Sequence, residues 1–584
     1  MSGAENVQDS VGAHNSSQDQ VTLSQPPIDR SMAIASLGPI NPLPTDKSSD
    51  PEEQQIELSY INEIDSKQDE IATEIVPVND PKLKKVRQRL WTTVLSAIVA
   101  CIPFLLVGCT LGFPSGALLD LTDLEERLEY KLTREQADLF GALGYIGAVF
   151  GGPIAGWISD RMGRKPALML VSIPYLIGYL MITYARFASD PVVFKTILLI
   201  GRFFSGVGLG WSSLAVVVYV VEIAPSKQRG MIGSIIQLFL VLGILTVYTL
   251  SSFDNIRYYD TSLILVAFIL LFTVSMVFFC ETPRWLFAHG LKKRGIAVIK
   301  FLRGPKYDFK EELEMIQVSI KHKKKLVGVK HLLKEFSKWD ILIPQGLVLL
   351  LVFFRVCSGL ESINAFSATI LREAGVQQFR EVSVYGTACA RLVTNFTVVF
   401  IADLLGRKVL LVASGVGMFI GTTMLGVHFY ITGPSFCVLD TANNMTSLNQ
   451  TMMTFQEGSF CNPHFAPLAI VSLVVYNVGF SLGWGPILWV LIGELLPLSV
   501  RGIGTGIATF VTWGLAAIVV GSYLSYSAAV QPWFVWWTYS IINFVSILFV
   551  IFCIFETKGK SLEDIQHRYE QKFGGRKMLC LRTA

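Results

Sequence analysis

Twelve apolar runs, each near the twenty or so residues a bilayer crossing needs, leave this chain few ways to fold. They fall near 92–114, 137–159, 166–186, 195–222, 231–252 and 261–280, then near 341–370, 382–404, 408–430, 466–494, 503–526 and 533–555. Hydrocarbon offers no partner to a bare backbone N–H or carbonyl, so runs of this length must be helices that satisfy their own main chain. Composition agrees: 52% of the 584 residues are hydrophobic and only 16% charged, where a soluble chain carries roughly a quarter. The expected fold class is an all-α membrane protein with twelve transmembrane helices, arranged as six and six.

The second six repeat the first. Glu222, Pro225, Arg229 and Gly230 in VEIAPSKQRG return at the same spacing as Glu494, Pro497, Arg501 and Gly502 in GELLPLSVRG. DRMGRK, from Asp160, returns as DLLGRK, from Asp403; more faintly, ETPRW at Glu281 returns as ETKGK at Glu556. Three matches in the same order indicate a duplicated half, a mark of transporters.

Charge placement orients the chain better than its net +4. Lys82, Lys84, Lys85, Arg87 and Arg89 precede the first span. Counting alternate loops from there, one side collects Arg161, Arg164, Lys165, Lys227, Arg229, Lys323, Lys324, Lys325, Arg407, Lys408 and Arg501. The longest loop of the other side, 432–464, has no Lys or Arg. By the positive-inside bias both termini and the central loop are cytoplasmic, and no nucleic-acid partner is needed to explain the basic residues. The expected divisions are a disordered polar tail over 1–89, a six-helix bundle over 90–280, a cytoplasmic helical loop over 281–340, a second bundle over 341–555, and a cytoplasmic tail over 556–584. The tail has no signal-peptide core, so the first span serves as the targeting segment. Plasma membrane and endomembrane both stay open.

In the long exoplasmic loop Cys437 and Cys461 bracket two glycosylation sequons, at Asn444 and Asn449. An oxidising compartment would permit a Cys437–Cys461 bridge; ordinary thiols and unused sequons are the alternative. The other cysteines have no metal-ligand spacing, and neither metal nor cofactor is expected.

Within the first span Gly108, Gly112 and Gly116 let a neighbouring helix approach closely. Thr110 stands where an ionisable group could have been. The fourth span opens GRFFSG, placing Arg202 inside the membrane, where a lone cation is expensive and is functional or paired. Glu222 ends that span at the negative end of the helix dipole and needs a cation; Arg161, Arg164 and Arg229 are the nearest candidates.

As a set, DRMGRK, GRFFSG, VEIAPSKQRG, ETPRWL, DLLGRK, GWGPILW, ELLPLSVRG and ETKGKSLEDI resemble the sugar porter family of the major facilitator superfamily, over nearly the whole membrane region. The short first exoplasmic loop and the later sequons look most like the animal facilitative glucose transporters glycosylated before the tenth span. The resemblance implies the major facilitator fold, a solute site between the bundles near mid-membrane, and alternating access by rocking. It also implies that Glu222, Arg229, Arg161 and Arg164, with their copies Glu494, Arg501, Asp403 and Arg407, form inter-helix salt bridges that close the cytoplasmic side. Asp160 and Arg202 are placed with this gating set.

For solute contact, Gln237 in the fifth span offers amide donors and an acceptor, and the resemblance places a sugar-contacting glutamine there. Gly483, Gly485 and Pro486 should break the tenth span, and Trp489 follows with a flat face suited to a pyranose. Thr512 and Trp513 occupy the family's next contact pair, although Thr512 replaces a common asparagine. The seventh span departs further. Where sugar porters carry QQLSGIN, this chain has Arg355, Val356, Cys357, Ser358, Gly359, Leu360 and Glu361, with Asn364 one turn later. Arg391 in the eighth span adds a second cation. These charges either pair with one another structurally, admit a different solute held by guanidinium groups, or include a titrating Glu361. On a straight helix Arg355 and Glu361 would be about 9 Å apart along the axis and about 120° apart around it, so no intrahelical pair is expected.

The expected function is facilitative transport of a hexose or related sugar, a small-molecule solute, because Thr110 replaces the first-span Asp of proton-coupled relatives. The alternatives are a carrier of an organic anion or proton-coupled solute, and a non-transporting nutrient sensor signalling through its tail. No nucleotide loop, metal spacing or catalytic triad suggests an enzyme.

Overall fold

A computed structural model describes residues 90–558, apart from 123–127, 226–228, 254, 306, 308, 311, 315, 317–338, 377–379, 433–465 and 497–500. The expected tails over 1–89 and from 559 onward, most of the loop over 317–338, both sequons (Asn444, Asn449) and both loop cysteines (Cys437, Cys461) lie outside the described residues.

The first half runs α1 (Leu90–Ala100), α2 (Ile102–Thr122), α3 (Arg134–Met162), α4 (Arg164–Leu170), α5 (Ser172–Ala185), α6 (Pro191–Ile223), α7 (Arg229–Leu250) and α8 (Tyr258–Val277). Two short helices follow, α9 (Pro283–Ala288) and α10 (Lys292–Arg303). The second half runs α11 (Trp339–Val356), α12 (Leu360–Glu373), α13 (Arg380–Leu405), α14 (Arg407–Thr432), α15 (Ala466–Leu482), α16 (Pro486–Leu495), α17 (Arg501–Val530) and α18 (Pro532–Cys553). Ten stretches among the described residues are long and apolar enough to cross a membrane. With α7 and the more polar α13 they make six spans in each half, since α1–α2, α4–α5, α11–α12 and α15–α16 each form one.

The span ends follow local chemistry. Thr133 and Gln136 form a reciprocal cap on α3, and Asp190 accepts the Val192 and Val193 N–H groups ahead of α6, whose first residue is Pro191. Within the first half α3 packs on α6 and α2 on α7; within the second, α14 packs on α15 and α18. Among the described residues the main packings that join the halves are α3 on α17, α7 on α13, and α2 on α12. The first two each pair the second span of one half with the fifth of the other, so the repeat exchanges them; the third pairs the first spans of the two halves.

Of the four two-part spans, two are broken over three residues. The tenth breaks at residues 483–485, as the Gly-Trp-Gly-Pro sequence predicts. The seventh breaks at residues 357–359, where Gly359 takes a φ of 98°. This corrects the straight-helix expectation: the reversal brings Arg355 Nη1 to 3.3 Å from Glu361 Oε1, an ion pair that continuous helix geometry forbids.

A side chain on Gly359 would be strained by that φ, and its Cβ would fall 2.8 Å from the Tyr539 ring. Gly359→Ala should therefore cost about 1–3 kcal/mol, read as a lowered thermal unfolding midpoint in detergent. An unchanged midpoint would mean the break does not depend on glycine.

Candidate functional site

The duplicated motifs fold into two nearly identical clusters at one end of the spans. In the first half Arg164 donates from Nε and Nη2 to both Glu222 oxygens at 3.1–3.2 Å, and the Thr282 hydroxyl donates to Glu222 Oε2 at 2.5 Å. In the second, Arg407 Nε lies 3.6 Å from Glu494 Oε1, and the Thr557 hydroxyl donates to Glu494 Oε2 at 2.6 Å. Arg164 is thus the cation that Glu222 requires. Asp160 is a second, solvent-exposed partner of Arg164 at 3.3 Å, and Arg161 lies over the Trp157 ring instead of joining the cluster. The side chains of Arg229, Asp403 and Arg501 lie outside the described residues.

The faint third repeat supplies the anchor of each cluster. Glu281 accepts the N–H groups of Arg164, Lys165 and Thr282, and Glu556 accepts those of Arg407, Lys408 and Lys558. Each carboxylate caps a helix N-terminus, where main-chain donors lack intrahelical partners and the dipole is positive. Gly163 and Gly406 make room: both have positive φ, and a Cβ there would fall 2.3 Å and 2.7 Å from the capping oxygens. Burial pushes the Glu281 carboxyl up, against the pull of its N–H donors. At Glu556 burial also acts upward, but four main-chain N–H donors outweigh it and hold the carboxyl below its usual range.

A second polar group lies at the seam of the halves. Glu361, only 1% exposed, accepts from Arg355 on one oxygen and from Tyr145 (3.1 Å) and Asn364 (3.4 Å) on the other. Asn364 Oδ1 in turn accepts from Arg391 Nη1 at 2.8 Å. Tyr145 belongs to the first half, and so does Tyr248, whose hydroxyl donates to the Asn364 carbonyl at 2.9 Å. Phe480 lies beneath both guanidinium groups, 5.9 Å from Arg355 and 5.2 Å from Arg391, and the Trp489 ring lies 5.6 Å from Arg355. Arg391, Asn364, Ser367, Thr387 and Tyr248 line a void of about 10 Å³, the room of about one water molecule.

The expected contact residues divide. Arg355, Glu361, Asn364, Arg391 and Trp489 come together, and Trp513 joins them through Tyr145, ring to ring at 6.1 Å. Gln237 is half-buried. It shares the helix stripe of Ile244 and Tyr248, which line the void, about two turns nearer the motif end. Thr512 turns its hydroxyl back to the Ala508 carbonyl and does not reach the group. Arg202, expected with the gating set, lies instead in the core of the first half. There it donates to the Thr110 and Phe140 carbonyls and faces the Phe113 and Phe140 rings. Main-chain acceptors and ring faces stand in for the carboxylate that a gate would supply.

The sequence reading missed Tyr145, Tyr248 and Asp138. Asp138 is buried at the far end of α3 and accepts from the Leu524 and Ser525 N–H groups (2.9 Å each) and the Ser525 hydroxyl (2.6 Å), joining the halves across the α3–α17 seam. Its signal was a carboxylate at the mouth of an apolar run. The Ser115 hydroxyl accepts from the Ala368 N–H as another far-end link between halves.

The chain's residues 96–569 match the family described as Sugar (and other) transporter. It is 31% identical to the bovine (Bos taurus) solute carrier family 2, facilitated glucose transporter member 8, over 82% of this chain and 94% of that protein. It is 27% identical to the facilitated trehalose transporter Tret1 of Apis mellifera ligustica, over 84% and 90%. Its fold is similar to that of the proton:xylose symporter XylE bound to 6-bromo-6-deoxy-D-glucose, with a TM-score of 0.66 and 22% identity over 82% of this chain and 100% of that one.

The opposite shifts at the two caps predict an asymmetry. On acidification Glu281 takes its proton first, so the Arg164 and Lys165 amides should lose hydrogen-exchange protection at a higher pH than those of Arg407 and Lys408. Exchange corrected for intrinsic rates reads this directly; simultaneous loss, or the reverse order, would contradict it.

Proposed function

Because the chain belongs to the sugar (and other) transporter family, we propose that it carries a hexose or related sugar across a membrane by facilitative alternating access. The observation that carries this reading is the group at the seam. It is polar, buried near mid-length of α13 and of the broken span Ile341–Glu373, and built from both halves through Tyr145 and Tyr248. A solute bound there touches two bodies that can tilt against each other. Trp489 provides an apolar face for a sugar ring, and Gln237 and Asn364 provide amides for hydroxyls. Facilitated relatives favour uniport, as does Thr110, whose hydroxyl is taken up by the Leu106 carbonyl and Tyr179.

The basic loops put the motif end in the cytoplasm. The Asp138, Ser115 and Tyr248 links then close the exoplasmic side, and solute leaves the described conformation past Gln237 and Trp489, the latter 38% exposed. Arg164–Glu222 and Arg407–Glu494 each lie within one half, clamping the cytoplasmic ends of its spans so that the half moves as a body. The sequons at Asn444 and Asn449 suit glycosylation of an exoplasmic loop.

Reconstituted protein should take up labelled glucose, fructose or trehalose. Gln237→Ala and Trp489→Ala should each slow it about fivefold to a hundredfold, the equivalent of about 1–3 kcal/mol for a lost buried contact. Full uptake by both variants would remove the site. Glu494→Gln should raise hydrogen exchange at the Arg407 and Lys408 amides up to about fivefold, the scale of a partly exposed bridge that clamps one half. Unchanged exchange would mean that the bridge clamps nothing.

A further inference from the structure

The seam holds two cations and one anion. Glu361 is fully engaged: Arg355 occupies one oxygen, and Tyr145 and Asn364 share the other. Arg391 is reached only through the neutral Asn364 amide and makes no ion pair among the described residues. It is 3% exposed, and its Nε has no hydrogen-bond partner. One positive charge is therefore left over, in a low-dielectric interior where an uncompensated ion costs several kcal/mol.

Arg202 shows how this protein accommodates a guanidinium that serves packing alone. It is fully buried, bonded to two carbonyls and faced by two rings; its Nη1 is also without a partner, but it lines no part of the seam void. Arg391 has one amide oxygen and one ring, and it lines the void between the halves. Around the same void stand Ser367, Thr387, Tyr248 and Asn477, whose hydroxyl and amide groups suit a polyol. A guanidinium keeps its charge at any relevant pH and fits a carboxylate with two parallel hydrogen bonds.

We propose that the carried solutes include a sugar bearing one carboxylate, of the uronate or aldonate type, and that Arg391 is the residue that selects it. The proposal rests on the transport reading above and names the solute class of the same site. A bound monoanion leaves the seam electrically balanced, whereas a neutral sugar leaves the Arg391 charge unanswered. The void must widen to admit any sugar, which the tilting of the halves provides. A free small anion could supply the same chemistry, so the test separates the two.

Wild-type protein in proteoliposomes is given labelled glucuronate and, separately, labelled glucose with unlabelled glucuronate, acetate or chloride as competitor. Glucuronate should be taken up and should compete with glucose, while acetate and chloride should not. An interior-positive potential of about 60 mV should raise glucuronate accumulation about tenfold, because one charge crosses per cycle. Arg391→Gln should lower the glucuronate-to-glucose uptake ratio at least tenfold, and Arg391→Lys should restore part of it. Should Arg391→Gln fail to fold, the wild-type competition and potential measurements decide alone. Glucose carried without glucuronate uptake or competition would overturn the proposal and leave the carrier reading intact. Uptake of neither sugar would end both. Acetate or chloride altering glucose uptake while glucuronate is excluded would assign the site to a free anion and overturn the proposal.

Discussion

Main-chain hydrogen bonding in a medium without water governs this structure more than any side-chain contact. Every span must be a helix, and an interruption survives only where side chains or a neighbouring span answer the freed groups. The two spans broken over three residues, at 357–359 and 483–485, are both answered from within the second half. The Asn543 amide and Tyr476 hydroxyl meet the Ser358 carbonyl at the first break, and the Ser414 hydroxyl accepts the Trp484 N–H at the second. The first of these breaks lies between Arg355 and Glu361, in the polar group at the seam.

The same constraint explains the ends. A helix leaving the bilayer exposes main-chain donors, and a carboxylate is the strongest small acceptor available to them. Glu281 and Glu556 fill that place in the two copies, which is why each is followed by a threonine that turns to the next carboxylate, Glu222 or Glu494. The repeat conserves a hydrogen-bond circuit, and the arginine bridges are one part of it. Lys165 and Lys408 complete the likeness by donating to the Val277 and Ile551 carbonyls near the ends of the halves' last spans.

Buried charge is handled in two ways. Arg202 is dissolved in carbonyls and ring faces within one half, so its surroundings need not change as the halves tilt. The Arg355–Glu361–Asn364–Arg391 chain belongs to the second half but is touched by Tyr145 and Tyr248 of the first. Any tilt must break or remake those two hydroxyl bonds, which couples the state of the site to the state of the seam.

Much of this was legible without coordinates. Apolar run length determined the twelve helices, and motif spacing determined the duplication, because both are local properties set by bilayer thickness and backbone chemistry. That Glu222 needs a cation was readable for the same reason, since a carboxylate ending a span requires one from the adjoining turns; the choice of Arg164 over Arg161 came only with the fold. Only the folded chain could decide that Arg355 and Glu361 pair, because that depends on Gly359 adopting a φ closed to other residues without strain. Only it could move Arg202 from a rim to a core, or select Tyr145, Tyr248 and Asp138 from many similar side chains. Those choices join residues hundreds of positions apart, and a hydroxyl or carboxylate carries no mark of its distant partner until packing brings the two together.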